Sequence, residues 1–304
     1  MQNIPRRSFL QLSAMACTTP WLRKSLFEMS KPLERTIPSS GETIPMVGMG
    51  SWLTFDVDRS SSRKENMGQV LSAFVQHGGK VIDSSPMYGS SEKVIGDLSE
   101  ALNLSDQLWM ATKVWTNGEQ SGKDQITRSQ SLMRGTIRLN QIHNLRDLRI
   151  HYNSLRQMKE EGQLQYIGVT HYLSSEHTRL IKVLKDYPVD FLQINYNIDN
   201  TNADQALLPA AADLGVAVII NRPFQTGRLF DGVRQASIPA WAEERGVKSW
   251  ATYFLKFILA NPHVTCTIPA TTQVSHVIEN LESASGWIPS LDEQQKMLKD
   301  YQNV

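Results

Sequence analysis

Between Lys80 and Val114 the chain reads KVIDSSPMYGSSEKVIGDLSEALNLSDQLWMATKV. A short apolar run, Lys80–Ser84, gives way to a segment of helical periodicity, Ser91–Leu102. A second apolar run, Leu108–Val114, follows it. A helix joining two such runs makes a parallel strand–helix–strand unit with a right-handed crossover.

Outward from this unit the pattern repeats. Further strands are expected at Met46–Gly50, Ile137–Ile142, Tyr166–Val169, Phe191–Tyr196, Val216–Ile220 and Thr265–Pro269, which makes eight. Helical patterns lie between them at Asn66–His77, Asp147–Glu161, Glu176–Lys185, Asp204–Leu214 and Lys248–Leu259. Gly78-Gly79, Gly162 and Gly215 follow the last turns of helices, as C-terminal caps should. Arg179 and Lys256 interrupt otherwise apolar-periodic helices and are expected on the solvent side. Eight units in 304 residues point to a closed (β/α)8 barrel. An open dinucleotide-binding sheet would want Gly-x-Gly-x-x-Gly after its first strand, and Met46-Val47-Gly48-Met49-Gly50 lacks the third glycine. Ahead of the barrel, Pro38-Ser39-Ser40-Gly41 reads as the turn of a small hairpin. The domain reading is a signal-like segment over 1–34 and a barrel over 35–304.

The bulk properties restrict the function class. Thirty-one lysines and arginines balance 30 acids, for a net charge of +1. That offers no basic footprint for nucleic acid and no polybasic membrane patch. No apolar run reaches the 18 or so residues of a membrane helix. The two cysteines, Cys17 and Cys266, have neither disulfide-framework nor metal-ligand spacing.

Function in a parallel barrel gathers at the C-terminal ends of the strands. Three adjacent strands deliver ionisable groups there. Val81-Ile82-Asp83 is followed five residues later by Tyr88, Ala111-Thr112-Lys113-Val114 carries a lysine within an apolar run, and Gln141-Ile142-His143 ends in a histidine. Singly, Asp83 reads as a turn cap, Lys113 as a snorkelling side chain and His143 as a satisfied core histidine. Together they suit proton transfer. A phenol with a pKa near 10 is a poor acid at neutral pH, an adjacent ammonium favours its phenolate, and a carboxylate keeps that ammonium charged. A histidine can orient a carbonyl and help donate to the developing alkoxide. The group lacks a reductant, so a bound hydride carrier completes it.

At this point the sequence resembles the aldo-keto reductase family, from about Thr36 to about Asn280. Asp83, Tyr88, Lys113 and His143 match that family's catalytic tetrad in order and in the Asp-to-Tyr spacing. Gly168-Val169-Thr170-His171 stands at its Gly-Val-Ser-Asn segment, and Gln193 at its strand-six glutamine. The resemblance implies that Thr170, His171 and Gln193 hold a nicotinamide carboxamide. It also implies that Ile268-Pro269-Ala270-Thr271-Thr272, with His276, Glu279 and Asn280, binds the rest of the nucleotide. A loop after a late strand that opens a helix suits phosphate on physical grounds as well. The family's stacking aromatic is replaced by Asn221, so Arg222 or Phe224 is left to cover the ring. The positions of its 2′-phosphate clamp are Ala270 and His276. NADP is the implied cofactor, with NAD left open.

The expected activity is hydride transfer from NAD(P)H to an aldehyde or ketone, with Tyr88 as general acid. The alternative is a nucleotide-binding barrel serving as a redox sensor or non-catalytic subunit; a sugar-phosphate isomerase or lyase draws little support from this group of residues. Trp52, Met87 and Trp115 are expected pocket walls for a small carbonyl substrate. With a short connection after His143, an open and broadly selective site is expected.

The N-terminus carries an address. Arg6-Arg7-Ser8-Phe9-Leu10 and a weakly apolar stretch to Ala16 resemble a twin-arginine export signal, with Ala14-Met15-Ala16 as a cleavage site. Export by the twin-arginine machinery to the periplasm or beyond is the expectation; an ordinary N-terminal helix on a cytoplasmic protein is the alternative.

Overall fold

The computed structural model describes residues 31–304, so the paired arginines, Ala14-Met15-Ala16 and Cys17 lie outside the described residues. A two-stranded antiparallel hairpin, β1 (Glu34–Thr36) and β2 (Thr43–Pro45), precedes the barrel and turns at Pro38–Gly41. The eight barrel strands are β3 (Met49–Gly50), β4 (Val81–Asp83), β5 (Trp109–Val114), β6 (Ile137–His143), β7 (Tyr166–His171), β8 (Phe191–Asn195), β9 (Ala217–Asn221) and β10 (Cys266–Thr267). They pair in parallel in chain order, and a Val47–Thr267 bridge joins the last strand to the first. β3 is shorter than its apolar run. Its earlier residues still contribute, because Thr267 N donates to Met46 O and Gly48 N to Thr267 O.

Helices α1 (Ser61–Gln76), α2 (Ser91–Ala101), α3 (Glu119–Met133), α4 (Leu148–Glu160), α5 (His177–Asp186) and α6 (Leu207–Asp213) fill the first crossovers. Two short helices, α7 (Arg228–Gly232) and α8 (Ala240–Glu244), precede α9 (Trp250–Ala260), and α10 (Val274–Glu282) and α11 (Leu291–Gln302) end the fold. α3 is not among the helical patterns expected from the sequence. Its buried face is Gly122, Ile126, Ser129 and Met133, because α2 presses close beside it. A Cβ on Gly96 would stand 2.0 Å from Leu132 O, so only glycine permits that approach.

Strand alternation sorts the core into two parts. Outward residues such as Ile82, Val114, Ile142, Val169, Leu192 and Ile220 pack against the helices. Inward residues form layers. The lower layer is apolar, with Val81, Trp109, Leu139, Tyr166, Phe191 and Ile219 in one cluster with Ile37 and Ile44 of the hairpin. Trp109, Tyr166 and Phe191 meet ring to ring at 5.4–5.9 Å. The hairpin thus closes the bottom of the barrel. Two or four residues further along β4 to β9 the inward residues turn polar: Asp83, Lys113, Gln141, His143, Thr170, Gln193 and Asn221.

Lys256 departs from the sequence expectation. α9 is buried from Tyr253 to Ala260, and Lys256 is only 4% exposed. Its ammonium donates to the carbonyls of Ser283 (3.1 Å), Ser285 (3.2 Å) and Trp287 (2.6 Å), so it caps the end of α10 and the turn beyond. Apolar periodicity cannot distinguish a buried cap from a solvated lysine, since the partners are backbone oxygens more than 25 residues away. Lys256→Met, which keeps the stem but strands these acceptors, is expected to cost about 3 kcal/mol in urea unfolding. Arg179→Ala, on the exposed face of α5, should change stability by less than about 0.5 kcal/mol.

Candidate active site

The polar layer converges on one ion pair. Lys113 Nζ donates to Asp83 Oδ2 at 2.5 Å and to Ser84 O at 2.7 Å, and neither charged side chain is more than 3% exposed. Asp83 Oδ1 accepts from Gln193 Nε2 (2.9 Å) and Gln141 Nε2 (3.1 Å). Both carboxylate oxygens are therefore satisfied from three strands. Tyr88 stands above, on the turn that follows β4. Its backbone is fixed by Tyr88 N donating to Ser85 O (3.0 Å) and by Ser91 Oγ donating to Tyr88 O (2.7 Å). Lys113 Nζ lies 5.1 Å from the centre of the Tyr88 ring, and His143 meets that ring edge-on at 5.9 Å.

The electrostatics follow from burial and charge. Burial pulls the Lys113 ammonium down, but Asp83 and then Tyr88 outweigh it and hold its pKa above the ordinary lysine value. Burial raises the Tyr88 phenol above 10.0, and Lys113 opposes that rise without cancelling it. The lysine therefore restrains an upward shift, where the residues alone suggested a net downward one. His143 is pushed down to about 3 by burial, with Lys113 and His171 adding to the effect. It stays neutral, with Nδ1 3.0 Å from Ser85 Oγ. Such an arrangement can give a proton from Tyr88 to an oxygen that gains charge while Lys113 stabilises the phenolate left behind.

A cleft of about 830 Å³ opens over this group. Asp83, Tyr88, His143, Thr170, Gln193, Arg222, Phe224, Thr271, Glu279, Asn280, Trp52 and Met87 line it. Four other residues singled out in the sequence lie off its wall. Lys113 is wholly buried beneath Asp83. His171 follows inward-facing Thr170, so alternation turns its ring away; it stacks on Tyr172 at 5.8 Å, and its Nδ1 accepts from Leu173 N. Thr272 is exposed, and its carbonyl accepts from Asn66 Nδ2 (2.8 Å). Trp115 stands beside His143 at 6.4 Å with the Arg146 guanidinium over its ring at 4.7 Å.

Tyr172, Phe230, Ser249 and Trp250 also line the cleft, although the sequence reading did not single them out. Ser249 had a readable signal. It caps α9 by accepting from Thr252 N, and its hydroxyl donates to the Glu279 carboxylate, which brings the start of α9 to α10.

The cleft suits a nicotinamide nucleotide. At its inner end, Gln193 Oε1 accepts from Thr170 Oγ1 (3.3 Å) and Asn221 Nδ2 (3.4 Å), and buried Asn221 Oδ1 has no partner among the described residues. That orphaned acceptor matches an amide N–H. At its outer end α10 begins without a side-chain cap, beside Thr271 and His276, so its first N–H groups are open to phosphate.

If the ion pair organises the site, its charges must be coupled in stability. Asp83→Ala or Lys113→Met alone leaves a buried charge and is expected to cost about 3–5 kcal/mol. The double variant should cost clearly less than the sum of the two, as measured by denaturant midpoints; additive losses would show that the pair carries no coupling.

Comparison with known proteins agrees with this geometry. The model of the Aldo/keto reductase family matches residues 46–296. Aldo-keto reductase str7 of Strobilurus tenacellus is 24% identical over 71% of this chain and 76% of its own length. Methylglyoxal reductase DkgA of Yersinia pestis is 27% identical over 46% of this chain, and the chain spans about half of that relative, 50%. About half is also matched in two oxidoreductases of Schizosaccharomyces pombe, 52% and 56%. Among solved structures, an aldo-keto reductase of Klebsiella pneumoniae in complex with NADPH aligns with a TM-score of 0.75 at 23% identity, over 88% of this chain and 95% of that one. An aldo/keto reductase of Brucella melitensis aligns with a TM-score of 0.69 at 20% identity, over 88% and 99%. With the family model spanning most of the barrel, the chain belongs to the aldo/keto reductase family.

Proposed function

We propose that the protein reduces an aldehyde or ketone with NADP(H), and that Tyr88 gives the proton. The observation that carries this reading is the buried Asp83–Lys113 pair set against Tyr88 at the floor of a nucleotide-sized cleft. The Klebsiella neighbour's NADPH supports the choice of NADP, and the chain itself leaves NAD open. Bound there, the reduced nicotinamide supplies the hydride. Thr170, Gln193 and Asn221 receive the carboxamide, while Thr271, Glu279 and Asn280 hold the distant part of the nucleotide. Neutral His143 orients the substrate oxygen toward Tyr88, and Lys113 stabilises the tyrosinate.

Turnover of simple aldehydes with NADPH tests the reading. Tyr88→Phe is expected to lower kcat by about 10²–10⁴; undiminished turnover in that variant would sink it. The pH dependence has a definite sign. Tyr88 is useful while protonated and His143 while neutral. With one pKa above 10.0 and the other near 3, kcat/KM should be level through neutrality, falling at the acid end only as His143 protonates near pH 3 and at the alkaline end only as Tyr88 deprotonates. A limb near pH 6.5 would instead assign the proton to a histidinium.

The paired Arg6-Arg7 supports export to the periplasm by the twin-arginine route, with residues 1–34 as the leader and linker. Changing both arginines to lysine is then expected to leave the protein in the cytoplasmic fraction. Equal fractionation of the two forms would argue for a cytoplasmic protein.

A further inference from the structure

Arg222 follows β9 in the left-handed region, at φ 50°, a costly backbone conformation for a residue with a long side chain. The surrounding loop holds it there. Arg222 O accepts from Asn197 Nδ2 (3.1 Å) and from Gln225 N (3.0 Å), and Gln225 Nε2 returns to Asn197 Oδ1 (3.3 Å). The backbone therefore aims this side chain.

Its target is the mouth of the barrel. The guanidinium carbon lies 4.2 Å from the Tyr172 ring centre and 5.7 Å from that of Trp52. Tyr172 follows β7 and Trp52 follows β3, strands on opposite sides of the closed sheet, so the cation stands over the barrel axis and above the tetrad. A guanidinium seated on an aromatic face keeps its N–H groups in its own plane, free for an acceptor. Among the described residues no carboxylate forms an ion pair with Arg222. Among the described residues it is also the only lysine or arginine on the cleft wall. A permanently charged fork without a counter-ion, over a reaction centre, awaits an anion.

The nucleotide's phosphates have their own place at the start of α10, beyond β10. The Arg222 guanidinium is seated instead against Tyr172 and Trp52. On its side the rim is apolar: Trp52, Leu53 and Met87 are 39%, 72% and 41% exposed. Resting on the function proposed above, we infer that Arg222 selects the substrate: it receives the carboxylate of an aldehyde or keto acid whose apolar body lies against Trp52, Leu53 and Met87. Reduction then takes one hydride at the carbonyl carbon and one proton from Tyr88 at its oxygen, and yields the hydroxy acid. Selectivity is accordingly for charge, within a site open in shape.

The test compares 4-carboxybenzaldehyde with its neutral methyl ester in the full-length enzyme and in Arg222→Gln, with NADPH affinity measured calorimetrically in both. The wild type is expected to favour the acid by about tenfold or more in kcat/KM, and the variant to lose that preference mainly through KM. NADPH affinity should change by less than about threefold, and Arg222→Lys, which keeps the charge without the fork, should restore part of the preference. An acid-to-ester ratio unaltered in Arg222→Gln overturns the inference. So does a tenfold loss of NADPH affinity with that ratio unaltered, which would give the cation to the cofactor's phosphates. If the wild type turns over neither aldehyde, the reductase reading itself fails. Calorimetry with benzoate and benzamide then decides the inference separately: benzoate must bind the wild type more tightly than benzamide does, and Arg222→Gln must abolish the difference.

Discussion

The buried Asp83–Lys113 ion pair is the constraint on which this molecule depends. Two full charges in the interior of a barrel are costly unless every oxygen and proton is answered. Here the answer comes from the main chain at Ser84 and from Gln141 and Gln193 on two further strands. The pair can exist only if four strands stand in the register observed. It is thus a check on the barrel's assembly as well as the source of the field that acts on Tyr88.

The barrel interior changes character along its axis because strand alternation sends every second residue inward. At the hairpin end these are aromatic and aliphatic, and close packing excludes water. At the opposite end they are amides, hydroxyls and charges that bond one another. Burial at that end raises the Tyr88 phenol and keeps His143 neutral. The polar layer supplies the ammonium that restrains the first shift. Stability and reactivity are built from the same short strands, two to four residues apart.

Much of this was legible before any coordinates. All eight strands follow from apolar runs, and Asp83, Lys113 and His143 stand out as the ionisable residues that three of those runs carry at or near their ends. α3 was nearly silent, since a helix packed through Gly122 and Ser129 has little apolar stripe to show. Lys256 was misjudged, because sequence spacing sees the charge and cannot see carbonyls brought up from another helix. His171 joins the site by the resemblance of its segment and Trp115 as an expected pocket wall, while alternation and packing settle which way each ring faces.

The barrel, its hairpin, and the strands that carry proton-transfer groups are legible in the chain alone, since these depend on local periodicity and the order of residue types. What those groups experience is fixed by the folded barrel. The burial that lifts Tyr88 and suppresses His143, the two glutamines on Asp83, and the placing of Arg222 between Tyr172 and Trp52 all join residues far apart in the chain. The physical reason is that pKa, ion-pair strength and ligand selectivity depend on distance and dielectric, and both are set by closure of the barrel.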